Sequence, residues 1–132
     1  MSAVKAVQYL LRQSVDLSAL VGGRIHSGWI PQDETMPAVL IEEVDAVPEA
    51  YISAFDQPRE WSTRVQITAI AGTYARVKIV LRTIESVLAY ASGVFDGVEV
   101  RHMFPALVGP DQYDSTTGLH EQPIDFIVTH YR

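Results

Sequence analysis

The side chains best suited to proton transfer or metal ligation at neutral pH are four histidines, His26, His102, His120 and His130. None lies in an HExxH spacing, and no two stand four residues apart on an expected helix, so the zinc-hydrolase arrangement is absent. One grouping has the right ligand chemistry. His120, Glu121 and Asp125 combine an imidazole with two carboxylates, a set that suits zinc or manganese if the three converge. No serine sits in a GxSxG elbow, which leaves nucleophilic catalysis without an anchor. Glu42 and Glu43 are consecutive on an expected strand and point to opposite faces, so those two alone do not make an acid/base pair. Asp111 and Asp114 flank a turn, where aspartate commonly bonds its own backbone. Without cysteine there is no disulfide, thiol nucleophile or thiolate metal site. Nothing in these patterns asks for catalysis, a metal or a cofactor.

Residues 17–32, LSALVGGRIHSGWIPQ, contain the pattern closest to a phosphate loop. A phosphate loop places its glycines before a helix N-terminus, where free N–H groups and the positive dipole end meet the anion. Here Gly22-Gly23 follow an apolar helical turn, and no Lys-Ser/Thr pair comes after them. The pair reads as a helix stop that launches a short strand at Arg24-Ile25.

These groups must be positioned by a chain of 132 residues, enough for one domain with a real core. The hydrophobic fraction of 48% fits a globular protein rather than a disordered one. No apolar run approaches the roughly 20 residues needed to span a bilayer, and the N-terminus lacks the basic-then-apolar pattern of a secretory signal. No membrane partner is therefore expected. The net charge of −6 argues against a surface built to neutralise nucleic-acid phosphates. Six of the acids (Glu42, Glu43, Asp45, Glu49, Asp56 and Glu60) fall in one segment against Arg59 alone, so the charge is concentrated there.

Hydrophobic spacing predicts a helix over residues 3–13, a second short turn through Leu17, Leu20 and Val21 capped by Asp16, and a strand at 38–41. Residues 45–59 are expected to form a long loop carrying the aromatics Tyr51 and Phe55. Strict alternation from Trp61 to Ala69 predicts a strand with one buried face. Thr73 is the expected N-cap of the chain's best helix, in which Val77, Val80, Leu81, Ile84, Val87, Leu88 and Ala91 recur at helical spacing until Gly93. Arg76, Lys78 and Arg82 lie on or beside its polar side, as a solvated face or as partners for an acidic neighbour. Strands at 98–104, ended by Pro105, and at 119–131 follow, with a turn-rich stretch between them. Pro123, which has no N–H to donate, implies an edge position or an irregularity. The resulting expectation is an α+β fold: a mainly antiparallel sheet of about four to five strands, with one long and one or two short N-terminal helices packed on one face.

Taken together, the chain resembles the small tail-completion proteins of long-tailed phages, the tail terminators or tail-to-head joining proteins. The resemblance rests on the N-terminal helix running into Leu17–Ile25, then Pro31-Gln32 and Pro37 with its strand. It continues through Arg64–Ile67, Thr73-Tyr74-Ala75 and the amphipathic helix, and ends with Tyr113–His120 leading to Ile124-Asp125-Phe126. It implies a structural protein with no catalytic residues, forming a typically hexameric homo-oligomeric ring that caps the completed tail tube. Its partners would be the tail tube protein and the head-connector or neck protein, with DNA passing through unbound. It further implies assembly in the host cytoplasm and residence at the head–tail junction, in a phage or a prophage. Within such a ring, Tyr51, Phe55, Arg59 and Trp29 are candidate subunit or partner contacts, and Glu49 and Asp56 are candidates for an acidic channel lining. The alternatives are another neck or head-completion ring component or, from a different class, a small α+β metal-dependent or nucleotide-processing enzyme.

Overall fold

The computed structural model describes residues 2–49 and 60–131. The chain opens with helix α1 (Ser2–Gln13), whose Ala3, Val4, Ala6, Val7 and Leu11 are buried along one stripe. Helix α2 (Val15–Val21) follows. Its N-cap is Ser14, not Asp16: the Ser14 hydroxyl accepts from the Leu17 N–H at 3.2 Å. Gly22 closes the helix at φ +59°, with its N–H on the Ser18 carbonyl at 2.8 Å, a left-handed conformation that glycine adopts without a Cβ penalty. Strand β1 (Ile25–Ser27) starts three residues later and is tied back to α1 by the Arg12 guanidinium, which donates to the Ile25 carbonyl at 2.7 Å.

The remaining elements are β2 (Ala38–Pro48), β3 (Glu60–Ala71), α3 (Tyr74–Leu88), β4 (Gly93–Phe95), β5 (Val98–Val108), β6 (Gln112–Asp114) and β7 (Leu119–Tyr131). All seven strands join one sheet in the order β1-β2-β3-β7-β5-β4, with β6 on β7. β1 and β2 are parallel and every other pairing is antiparallel. The sheet curls into a half-barrel, and strand accounts for 47% of the structure.

This corrects the expected α+β arrangement of about four to five mainly antiparallel strands with one long and one or two short N-terminal helices on one face. The sheet is larger and mixed, for reasons local to each element. β2 continues through Pro48 where a loop was expected from Asp45, because Asp45–Pro48 pair with Trp61–Arg64 across a bulge between Glu43 and Asp45. Pro105 does not end β5. It pairs with Phe126, and a second bulge between Pro105 and Leu107 absorbs the irregularity before the strand runs on to Val108. β6 occupies a stretch expected to be turns, and β4 lies just past the expected helix end, where no strand was expected. Helix α3 stops at Leu88 rather than at Gly93, which belongs to β4.

Pro123 lies inside the sheet, not at its edge. Its carbonyl accepts from the Gly109 N–H at 2.9 Å, at the place where the neighbour of β7 changes from β5 to β6. A strand residue's N–H and C=O point to the same side, so the missing proline donor faces that change of partner and the β3 ladder keeps its bonds.

The core lies between the sheet and the helices. Val39, Ile41, Val65, Ile67, Ala69, Ile124, Phe126, Val128, Val100 and Met103 meet α1, α2 and the Val77–Val80–Leu81–Ile84–Leu88 stripe of α3. Thr73 caps α3, its hydroxyl accepting from the Arg76 N–H at 3.2 Å. At the end of β3 both faces are buried, Thr68 and Ile70 included, where a single buried face was expected.

Candidate assembly surfaces

The densest polar cluster joins the start of α3 to the segment that precedes and includes the β6–β7 hairpin. The Lys78 ammonium donates to Asp111 Oδ1 and to Gln122 Oε1, both at 2.6 Å, and the Tyr74 hydroxyl donates to Asp111 Oδ2 at 3.0 Å. Gln122 Nε2 passes the network on to the Gly109 carbonyl at 2.8 Å. His120 packs its ring against Tyr113, with centroids 4.6 Å apart, and meets Tyr74 edge-on at 6.2 Å. The Lys78 hydrogen bond is the main cause holding the Asp111 carboxyl below its ordinary range, and Asp111 in turn raises Lys78. A carboxylate fixed by an ammonium and a phenol has no nucleophile to activate; it latches a helix to a hairpin. The motif pieces Thr73-Tyr74 and Tyr113–His120, forty residues apart in sequence, are thereby brought together in space.

Asp114 behaves as expected of a turn aspartate, its Oδ1 accepting from the Thr116 N–H at 2.9 Å. Asp111 does not: its carboxylate serves Lys78 and Tyr74.

On the face of the sheet opposite the helices lies a cavity of about 420 Å³, between the 30–36 loop and the β6–β7 hairpin. Apolar Ile30, Met36, Ile70 and Leu119 line it together with Glu34 and Glu121. Glu34 is held by His26 Nε2, which fixes the loop over β1.

The candidate metal ligands do not converge. His120 and Glu121 are adjacent on β7 and point to opposite faces; His120 stacks on Tyr113 while Glu121 lines the cavity. Asp125 accepts from Gln66 Nε2 at 3.1 Å, with Arg64 Nε 3.6 Å away. Among the described residues no group of three or more His, Asp or Glu side chains is placed to hold a metal ion.

Among the described residues a hydroxyl–imidazole pair joins Thr63 Oγ1 to His130 Nε2 at 2.8 Å. Both residues are buried between β3 and β7, so the bond staples two strands and offers no approach to a substrate. Glu60, also buried, pairs with Arg101 at 2.9 Å and links β3 to β5. These cross-strand bonds were not foreseen, because each joins residues more than forty positions apart.

Of the residues expected to contact partners, Trp29 is 68% exposed in the loop after β1. Glu49 is half-buried at the end of β2, where its N–H donates to the Glu60 carbonyl at 2.8 Å. Tyr51, Phe55, Asp56 and Arg59 lie outside the described residues.

The family model described as tail completion protein gp17 matches residues 5–130 of the chain. Among solved structures, a chain from the virion of a native gene transfer agent particle has the same fold, with a TM-score of 0.73. It is 18% identical in sequence, and the match covers 98% of this chain and 94% of that one. No curated protein matches the sequence.

Proposed function

This chain belongs to the tail completion protein gp17 family, and on that premise we propose that it forms a ring that caps the finished tail tube and joins it to the head. Tail completion is a structural task, and the chain is a structural protein of the virion tail. The observation that carries the finer reading is the family match, which spans residues 5–130. The fold supports it: helices cover one face of the sheet and leave much of the other for neighbours, and a ring subunit needs two different lateral surfaces.

In this reading the ring is a homo-oligomer of the hexameric type, seated on the tail tube protein below and the head-connector or neck protein above. Trp29, Tyr51, Phe55 and Arg59 contact an adjacent subunit or a tail component. Glu49 and Asp56 face the channel, where negative charge keeps passing DNA from adhering. The protein carries out no catalysis.

The test is native mass measurement of the purified chain alone and with purified tail tubes. The expected result is a tube-bound multimer of fixed subunit number. A chain that stays monomeric and unbound in the presence of tubes would overturn the reading.

A further inference from the structure

We propose that residues 42–48 of β2 and 104–108 of β5 are the two lateral surfaces of the ring, and that they pair with each other between neighbouring copies of this chain as one continuous antiparallel sheet. The proposal rests on the ring reading above and specifies how that ring closes.

Both strands outrun their outer neighbours. β2 pairs with β3 from Ala38 to Pro48, but on its other side β1 covers only Val39–Ile41. β5 pairs with β7 as far as Val108, while β4 covers only Val98–Val100. Among the described residues, no strand pairs with the outer side of either remaining margin, and the Tyr90 N–H donates to the Met103 carbonyl at 2.7 Å, so the open run of β5 begins at Phe104. An open strand edge is a template for another strand.

The two margins occupy the same rungs of the sheet. Asp45 pairs with Arg64, Arg64 with Ile127, and Ile127 with Phe104. A second rung runs Glu42, Gln66, Asp125, Leu107. Each rung crosses four strands and ends in an open margin on both sides. Rotation about an axis roughly along the strands therefore brings the β5 margin of one copy abreast of the β2 margin of the next. Strand direction agrees as well. β2, β3, β7 and β5 alternate in direction, so β5 followed by a neighbour's β2 continues the antiparallel alternation. The half-barrel curl carries the sheet around the axis.

Side chains fit the same pairing. Val44 and Val47 on β2 are 51% and 56% exposed; Phe104, Leu107 and Val108 on β5 are 38%, 57% and 50% exposed. Val47, Phe104 and Leu107 share the face away from the helices, since their rungs run through Ser62, Arg64 and Gln66 of β3. Charge selects between the two ways of pairing edges. Two β2 margins would set Glu42, Glu43 and Asp45 against the same acids, whereas on the shared rungs Asp45 and Glu42 come abreast of the uncharged Phe104 and Leu107. Like charges directly across a ladder are unfavourable. The unlike pairing is heterologous and closes a ring, while the like pairing stops at a dimer. The bulges in both margins restrict pairing to short runs in one register and oppose indiscriminate edge stacking.

The chain contains no cysteine, so engineered cross-links have no background. Val47→Cys is combined with Phe104→Cys, and separately with Leu107→Cys, in the full chain assembled on purified tail tubes, mildly oxidised and resolved without reductant. At least one double variant should give a covalent ladder of several subunits, and each single variant should remain unlinked. Dimers from Val47→Cys alone would overturn the proposal in favour of β2–β2 pairing. Rings detected by native mass but unlinked in both double variants would overturn the edge pairing and leave the ring intact. Failure of the unsubstituted chain to form any multimer on tubes would overturn the ring itself and its closure with it. Leu107→Glu with Val108→Glu places acid opposite acid at exposed positions; it should keep its thermal melt and lose most ring assembly, and unimpaired assembly would again overturn the pairing.

Discussion

Lys78 Nζ donates to Asp111 Oδ1 at 2.6 Å, tying the first turns of α3 to the chain just before β6. Asp111 is held below its ordinary pKa of 3.8 first by that hydrogen bond, with Tyr74 adding to it and burial opposing. Lys78 is raised above 10.5, again mainly by the bond to Asp111. A depressed carboxylate contributes stability above its unfolded pKa and loses it as pH falls through the lower folded value. A raised ammonium contributes below its unfolded pKa and loses it as pH rises through the higher folded value. The latch therefore acts between the two limits. Asp111→Asn should melt slightly below the unsubstituted protein by a steady margin from about pH 5 to about pH 9. That margin should close in stronger acid; it is modest because the pair is solvent-screened. Thermal melts across pH check this, and a margin unchanged in strong acid would remove the charge from the explanation.

Gly109 makes a second, purely steric point of closure at the same corner. A Cβ added there would lie 2.6 Å from Pro123 Cγ and 3.3 Å from its Cδ, atoms of a ring that has little room to move. Gly109→Ala should destabilise by about 1–3 kcal/mol, the usual cost of overpacking. Gly23→Ala is the control, since a Cβ at Gly23 meets nothing within 4 Å. Denaturant unfolding of the two variants separates clash from general loss of glycine; equal stabilities would show that the Pro123 ring yields.

Helix α3 is legible in the sequence because its apolar residues recur at helical spacing and Thr73 caps it. The strands that escape notice do so for identifiable reasons. β4 is only three residues long, yet Asp96-Gly97 carry φ of +52° and +79° between paired Phe95 and Val98. An Asp-Gly two-residue hairpin is a strong local signal, and it marks β4 once attended to. The acids at 42–48 resemble a solvated loop by composition, but charge is also what open strand margins carry to resist nonspecific pairing. Pro105 and Pro123 resemble strand stops, and each is accommodated beside a local change of partner or register that sequence periodicity does not reveal. Which acid would partner Lys78 was not legible for another reason. Spacing rules see neighbours within a turn or a strand, while Lys78 and Asp111 meet only through the sheet that separates them in sequence.

Trp29 exposes most of its surface beside the loop that His26 and Glu34 hold in place. An exposed tryptophan offers a large contact surface of the kind enriched at interface hot spots. Trp29→Ala should leave the melt within about 0.5 kcal/mol of the unsubstituted protein, as surface changes do. If Trp29 contacts a partner, the same variant reduces tube-bound multimer. Deletion of residues 49–57, which removes Tyr51 and Phe55, should reduce it further. Light scattering and phage yield read both; unchanged values for the deletion would exclude that segment from assembly.

The acidic segment separates channel lining from lateral contact. If Glu49 and Asp56 face the lumen, replacing both with Lys leaves ring formation intact, because lumen side chains make no contact between subunits. What changes is the interaction with DNA. Lysines around a narrow channel would attract phosphates, in a manner that weakens as salt rises. The double variant should assemble normally, retain DNA at the junction and slow genome passage, with the delay relieved at higher ionic strength. Loss of ring formation would instead place these residues between subunits, and normal ejection from fully assembled particles would remove them from the channel. The salt dependence is the discriminating measurement, because a merely misfolded ring would not recover as salt is added.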